Sequence, residues 1–181
     1  MIFTPTYLGD SFEIKLAPNE DERGWFARFY CKDEFEKIGH KKEWVQMNHT
    51  FTREKGSVRG MHFQHPPFAE IKMVRCIAGA VFDVIVDLRK KSKTFMQWFG
   101  TELSAEKQNM IYIPEGFAHG FQTLSRDCEL IYLHTEFYTR KYEGGLKFDD
   151  PALKINWPLP VADISIRDAA HKLIDKNYEG I

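Results

Sequence analysis

A chain of 181 residues, 43% hydrophobic and 28% charged, is long enough to bury a sizeable core and too apolar to be disordered. Its 25 basic against 26 acidic residues leave a formal charge of −1, which gives no general reason to expect nucleic acid or an anionic membrane as a partner. Any anionic ligand would have to be met by locally placed cations. The opening MIFTPTYLGD has no basic segment followed by an apolar stretch, so the expected compartment is the cytoplasm. No apolar run approaches the length of a membrane span. Cys31, Cys76 and Cys128 are odd in number, widely spaced and without a CxxC pair, which argues for a reducing compartment and against a disulfide framework.

In chain order, CKDEFEKIG, from Cys31 to a glycine cap at Gly39, predicts a short helix. Strand-like segments follow at 44–51, 57–64, 71–77 and 81–88, and then at 95–103, 110–113, 119–124 and 129–136. VFDVIVDL is short and rich in β-branched residues, which favours a strand over a helix. Ser165 to Asp168 has the spacing of a capping box and opens a C-terminal helix. Many short strands without a linker or a repeat predict one mainly β domain over 1–181, a sandwich or barrel that also limits exposed edges.

Chemistry-bearing residues concentrate in two stretches. SVRGMHFQHPPFAEIKMVR sets Arg59, His62 and Lys72 among apolar residues. Strand alternation predicts 58, 60, 62 and 64 on one face and Arg59 on the other. Singly, His62 reads as a satisfied core histidine and Lys72 as a snorkelling surface lysine; convergence in one barrel mouth would give them a function. IPEGFAHGFQTLS places His119 where the chain re-enters a strand after a turn. A metal set of His62, Glu70 and His119 stays conceivable, but His62-Phe-Gln-His65 breaks the His-x-His spacing of metal-holding barrels, and residues three apart point to opposite faces. Tyr132 and Tyr138, in LIYLHTEFYTRKYEGG, read singly as core or cross-strand aromatics.

The strings RGMHFQ, EIKMVRCIAGAVFDVIVDLRKKSKTF, LSAEKQNMIYIPEGFAHGFQTLS and GGLKFDDPALKINWP together resemble the dTDP-4-dehydrorhamnose 3,5-epimerase family over about 21–168. The resemblance implies a cupin-type jelly-roll barrel with short flanking helices, a homodimer, a nucleoside-diphosphate sugar in the barrel mouth, and no metal or other cofactor. It implies His62 as proton acceptor, Asp168 as the carboxylate paired with it, Lys72 near the developing enolate, and Tyr132 as proton donor on the opposite face. Arg23, Gln46, Asn48, Arg59, His119, Glu143 and Arg167 fall at substrate-contacting positions. Phe26 and Tyr138 fall at aromatic walls near the nucleotide. Arg28 stands in that region, where the family usually carries a glutamate.

These residue types suit such a reaction. A 4-keto group acidifies the hydrogens on C3 and C5, and an imidazole can remove one of them. A carboxylate on its other nitrogen fixes the tautomer. A lysine can stabilise the enolate oxygen, and a phenol can return the proton from the other face. Arg28, Met47, Phe51 and Gly144 depart from the family pattern, all at the nucleotide end. They leave open an epimerase acting at C3 or C5 only, on a GDP- or CDP-linked 4-keto hexose or heptose. A metal-dependent cupin and a non-catalytic sugar-binding cupin are readings of another class.

Overall fold

Strands form where the sequence alternates because a pleated segment then has one face to bury and one to leave in solvent. The computed structural model describes residues 1–181. In order, the chain forms β1 (Ile2–Pro5), β2 (Phe12–Lys15), β3 (Asn19–Asp21), β4 (Gly24–Phe26) and α1 (Lys32–Glu36). Next come β5 (Gln46–Thr52), β6 (Ser57–Gln64), β7 (Lys72–Ala78), β8 (Ala80–Asp87) and β9 (Trp98–Ser104). β10 (Asn109–Ile113), β11 (Phe117–Thr123), β12 (Cys128–His134), β13 (Glu143–Gly145), β14 (Asp163–Ile164) and α2 (Ile166–Ala169) complete it. One sheet has the order β1-β2-β10-β7-β12-β5, and the other β13-β6-β11-β8-β9, with β14 lying parallel beside β6. This is the expected mainly β jelly-roll barrel with short flanking helices.

The inward stripe of each strand changes character along its length. On β12, Cys128 and Leu130 lie in the core, and the same face continues as Tyr132 and His134. On β7, Val74 and Cys76 are core, and the same face begins at Lys72. At the apolar end, Val74, Ile111 and Leu130 of the first sheet meet Val81, Ile85 and Phe121 of the second. Burial of each such side chain contributes roughly 1.5–3 kcal/mol. The other end is a polar mouth.

Three local expectations change. Residues 95–97 stay outside β9 because Asp87 gathers Ser92 and Thr94 into a turn, accepting from their hydroxyls at 2.5 and 2.7 Å. β11 begins at Phe117, so His119 sits within a buried strand rather than at its start. The alternation on β6 is broken by a bulge: His119 pairs with His62, but Phe121 pairs with Arg59. One extra residue on β6 turns Arg59 back to the face that carries His62, and both line one cavity.

The bulge needs glycine. Gly60 has φ +127°, and a Cβ there would stand 2.5 Å from the Cα of Gly120 on the neighbouring strand. Gly60→Ala is expected to lower stability by about 2 kcal/mol or more, read from urea unfolding midpoints. An unchanged midpoint would show that the strands can part without cost.

Candidate active site

The polar mouth is a cavity of about 930 Å³ between the two sheets, closed on one side by β14 and α2. Its walls carry His62 and Arg59 from β6, His119 from β11, Lys72 from β7, Tyr132 and His134 from β12, and Gln46 and Asn48 from β5. Tyr138, Glu143, Arg167 and Asp168 complete the polar rim. His62 and Tyr132 therefore enter the same space from facing sheets.

Asp168 is delivered by one turn of helix. The Ser165 hydroxyl accepts the Asp168 amide at 3.0 Å, so the N-cap half of the expected capping box forms; the reciprocal half does not, because the carboxylate turns inward. Oδ1 accepts from His62 Nε2 at 2.9 Å, and Oδ2 accepts from the Gly60 amide at 3.1 Å. Burial alone would raise this carboxyl, but His62, the Gly60 amide and Ser165 outweigh it and hold it well below the usual carboxylate range. With Nε2 donating to Asp168, the lone pair of the neutral ring lies on Nδ1, which has no hydrogen-bond partner in the chain. Arg167 donates to Asp168 at 3.2 Å and to Glu143 at 3.1 Å, and its Nη2 stands 3.2 Å from His62 Nε2.

A second network lies on the opposite wall. Lys72 is 7% exposed, so the surface-lysine expectation fails. Its Nζ pairs with Glu70 at 3.1 Å and reaches the backbone carbonyl of His62 at 3.4 Å. Glu70 also binds His134 Nδ1 at 2.8 Å, and His134 Nε2 lies 3.3 Å from the side-chain amide of Asn48. Burial opposes ionisation of Glu70, but His134 and then Lys72 outweigh it and keep its carboxyl low. Burial pushes the Tyr132 phenol well above its ordinary value, which keeps it protonated as a donor. His119 pairs through Nε2 with the fully buried Asp83 at 2.8 Å.

Arg59 meets no carboxylate; it donates to Thr52 and to the carbonyl of Phe51, at 2.9 and 3.3 Å, and so offers a cation to the cavity. Tyr138 donates to Glu143 at 3.0 Å. Gln46 accepts the Tyr138 amide at the same distance.

The cavity thus gathers His62, Tyr132, Asp168, Lys72, Gln46, Asn48, Arg59, His119, Tyr138, Glu143 and Arg167. Arg23, Phe26 and Arg28 are not brought in. Arg23 and Phe26 belong to the exposed β3–β4 hairpin, and Arg28 donates to Glu34 at 2.9 Å, a carboxylate it shares with the Met1 ammonium. The imagined metal set is not assembled either, since Glu70 is held by Lys72 and His134, and His119 by Asp83. Sequence reading passed over His134, although counting by two from Tyr132 places it on the same face.

Asp168 and Glu70 both titrate lower folded than unfolded. The stability they add is fully present above the ordinary carboxylate value of about 4, and is lost as pH falls through their folded values. A D168N/E70Q variant should therefore lose thermal stability less steeply than the parent between about pH 5 and pH 2. Parallel melting curves across that range would contradict the assignment.

Comparison with known proteins gives a consistent result. The family model described as dTDP-4-dehydrorhamnose 3,5-epimerase matches residues 5–176. A dTDP-4-dehydrorhamnose 3,5-epimerase of Salmonella typhimurium is 44% identical over 178 residues, 97% of each chain. The crystal structure of such an enzyme from Bacillus anthracis, with TDP and PPi bound, superposes with TM-score 0.93 at 36% identity, covering 96% of this chain and 99% of that one. An epimerase from Legionella pneumophila, in complex with dTDP-4-keto-L-rhamnose, gives 0.90 at 38% identity, covering 95% and 92%.

Proposed function

This chain belongs to the dTDP-4-dehydrorhamnose 3,5-epimerase family, and on that premise we propose that it inverts C3 and C5 of a dTDP-linked 4-keto-6-deoxy sugar. The observation that carries the reading is the entry of the His62–Asp168 pair and the Tyr132 phenol into one cavity from opposite sheets. Inversion needs a proton to leave one face of a ring and return to the other, and two groups on one wall could not do both.

In this reading His62 Nδ1 takes the proton from the carbon beside the ketone. Asp168 holds the ring in that tautomer and stabilises the imidazolium as it forms. The electron pair moves onto the ketone oxygen, where the Lys72 ammonium, itself buried in the cavity wall, stabilises the enolate. The Tyr132 phenol, kept protonated by burial, gives its proton to the opposite face. Arg59, without a carboxylate partner, and Arg167 suit the diphosphate, because a guanidinium fork matches phosphate oxygens. Glu70 and His134 position Lys72 and Asn48 rather than touching the sugar. The GDP- and CDP-linked alternative draws no support from these relatives, whose names specify dTDP sugars. Arg28, its main motive, is turned to Glu34, a carboxylate that also binds the Met1 ammonium.

The test is incubation of the dTDP-linked keto sugar with the protein in deuterated water, reading deuterium at C3 and at C5 separately. His62→Ala is expected to cut exchange at both carbons by roughly 10²–10⁴-fold. Tyr132→Phe should retain exchange while losing most of the inverted product. Full product formation by Tyr132→Phe would remove the phenol from the mechanism.

The reading extends to a homodimer in which the β3–β4 hairpin of one chain reaches the cavity of its partner. Within its own chain that hairpin leaves Trp25 and Phe26 53% and 74% exposed, an aromatic edge with nothing packed over it. Arg23, on the same hairpin, pairs only with neighbouring Asp21. Sedimentation should show two chains, and Phe26→Ala should raise KM several-fold with kcat nearly kept. A fully active monomer would defeat the dimer.

A further inference from the structure

Behind the His62–Asp168 pair stands a third group that the epimerisation does not use. His171 follows α2, and its ring centroid lies 6.0 Å from that of His62. One ligand atom from each of His62, Asp168 and His171 lies within 4.8 Å of the others, the only such gathering of three His, Cys, Asp or Glu side chains in the chain. His171 Nε2 is buried and makes no hydrogen bond, and its ring stands beside a buried carboxylate and a second imidazole. An unsatisfied buried nitrogen is costly, and here its neighbours are metal-ligand types. The backbone makes room for it: Gly145 pairs with His62 in the sheet, and a Cβ on Gly145 would meet the His171 ring at 2.1 Å.

We propose that His62, Asp168 and His171 form an inhibitory site for a divalent transition ion of the zinc class, a site that rests for its consequence on His62 being the base. Two imidazoles and one carboxylate, with further positions open to water, match the ligand preferences of Zn²⁺ and Co²⁺ and poorly suit Mg²⁺ or Ca²⁺. Binding at His62 removes the lone pair that proton abstraction needs. At Nδ1 the ion occupies it directly. At Nε2 the ion takes the place of the ring proton, which moves to Nδ1, so the imidazole stays neutral and loses its free basic nitrogen. For the ion to settle, Arg167 must leave both that nitrogen and Asp168 Oδ1; its side chain is 57% exposed and already donates to Glu143, the direction in which it would withdraw.

The site can be tested on the full chain, stripped of metal by a chelator and dialysed. Titration with CoCl₂ should give a visible ligand-field spectrum saturating at one ion per chain. ZnCl₂ should suppress deuterium exchange into the keto sugar in step with occupancy, and EDTA should restore it. His171→Ala, and His171→Leu as a space-filling control, should keep exchange within about twofold of the parent without metal. Both should weaken cobalt binding and zinc inhibition by roughly tenfold or more. Equal cobalt affinity in the parent and both variants, or equal zinc inhibition of all three, would overturn the site. If the stripped parent exchanges no proton at all, it is the epimerase reading that fails, and the cobalt titration still judges the three ligands alone.

Discussion

One carboxylate holds the arrangement together. Asp168 accepts from the His62 ring through one oxygen and from the Gly60 amide through the other, so it fixes the imidazole and the bulge that presents it. The two contacts depend on each other. The bulge at Gly60 frees an amide from the strand ladder, and an unpaired buried amide would be costly without an acceptor. The carboxylate in turn would be an uncompensated buried charge without the imidazole and that amide. The same bulge brings Arg59 to the cavity beside His62, so a single irregularity sets both an imidazole and a guanidinium on one wall.

The facing wall solves a similar problem by different means. Lys72 is a buried ammonium, and Glu70 compensates it while binding His134 through its other oxygen. Apart from Arg59, the charged groups named on the two walls thus have opposite-charge or imidazole partners before any ligand arrives. Polar groups fixed in this way need little rearrangement as charge develops, which is where electrostatic stabilisation of a reaction comes from. Lys72 also touches the backbone carbonyl of His62, a direct link between the two walls at the level where a sugar ring would sit.

Much of this could be read from sequence, because it depends on local pattern. The eight central strands follow from alternation and β-branched runs, and the N-cap at Ser165 follows from spacing. Of the two readings of Asp168, the side-chain cap gives way: its backbone amide serves the Ser165 N-cap, and its carboxylate turns to His62. What escaped was long-range. Nothing within RGMHFQ announces that β6 carries one residue more than β11, so alternation put Arg59 on the wrong face. Lys72 looked exposed because its buried counter-ion is recognisable only once Glu70 folds back over it. The family resemblance named Arg23 and Phe26 as ligand contacts, and local pattern could not tell that their hairpin stands away from the cavity of its own chain.

The position of α2 along the chain has a consequence for how the protein matures. Residues 163–168 come after every other strand of both sheets, yet they dock beside β6, more than a hundred residues earlier. During synthesis both sheets can therefore pair and bury their aliphatic layer while the imidazole still lacks its carboxylate. Such a nascent barrel would carry an unoriented histidine in an open-sided mouth, and competence for chemistry would arrive only as the closing turn settles. The elements that bury the core and the one that orients the imidazole are thus separate along the chain.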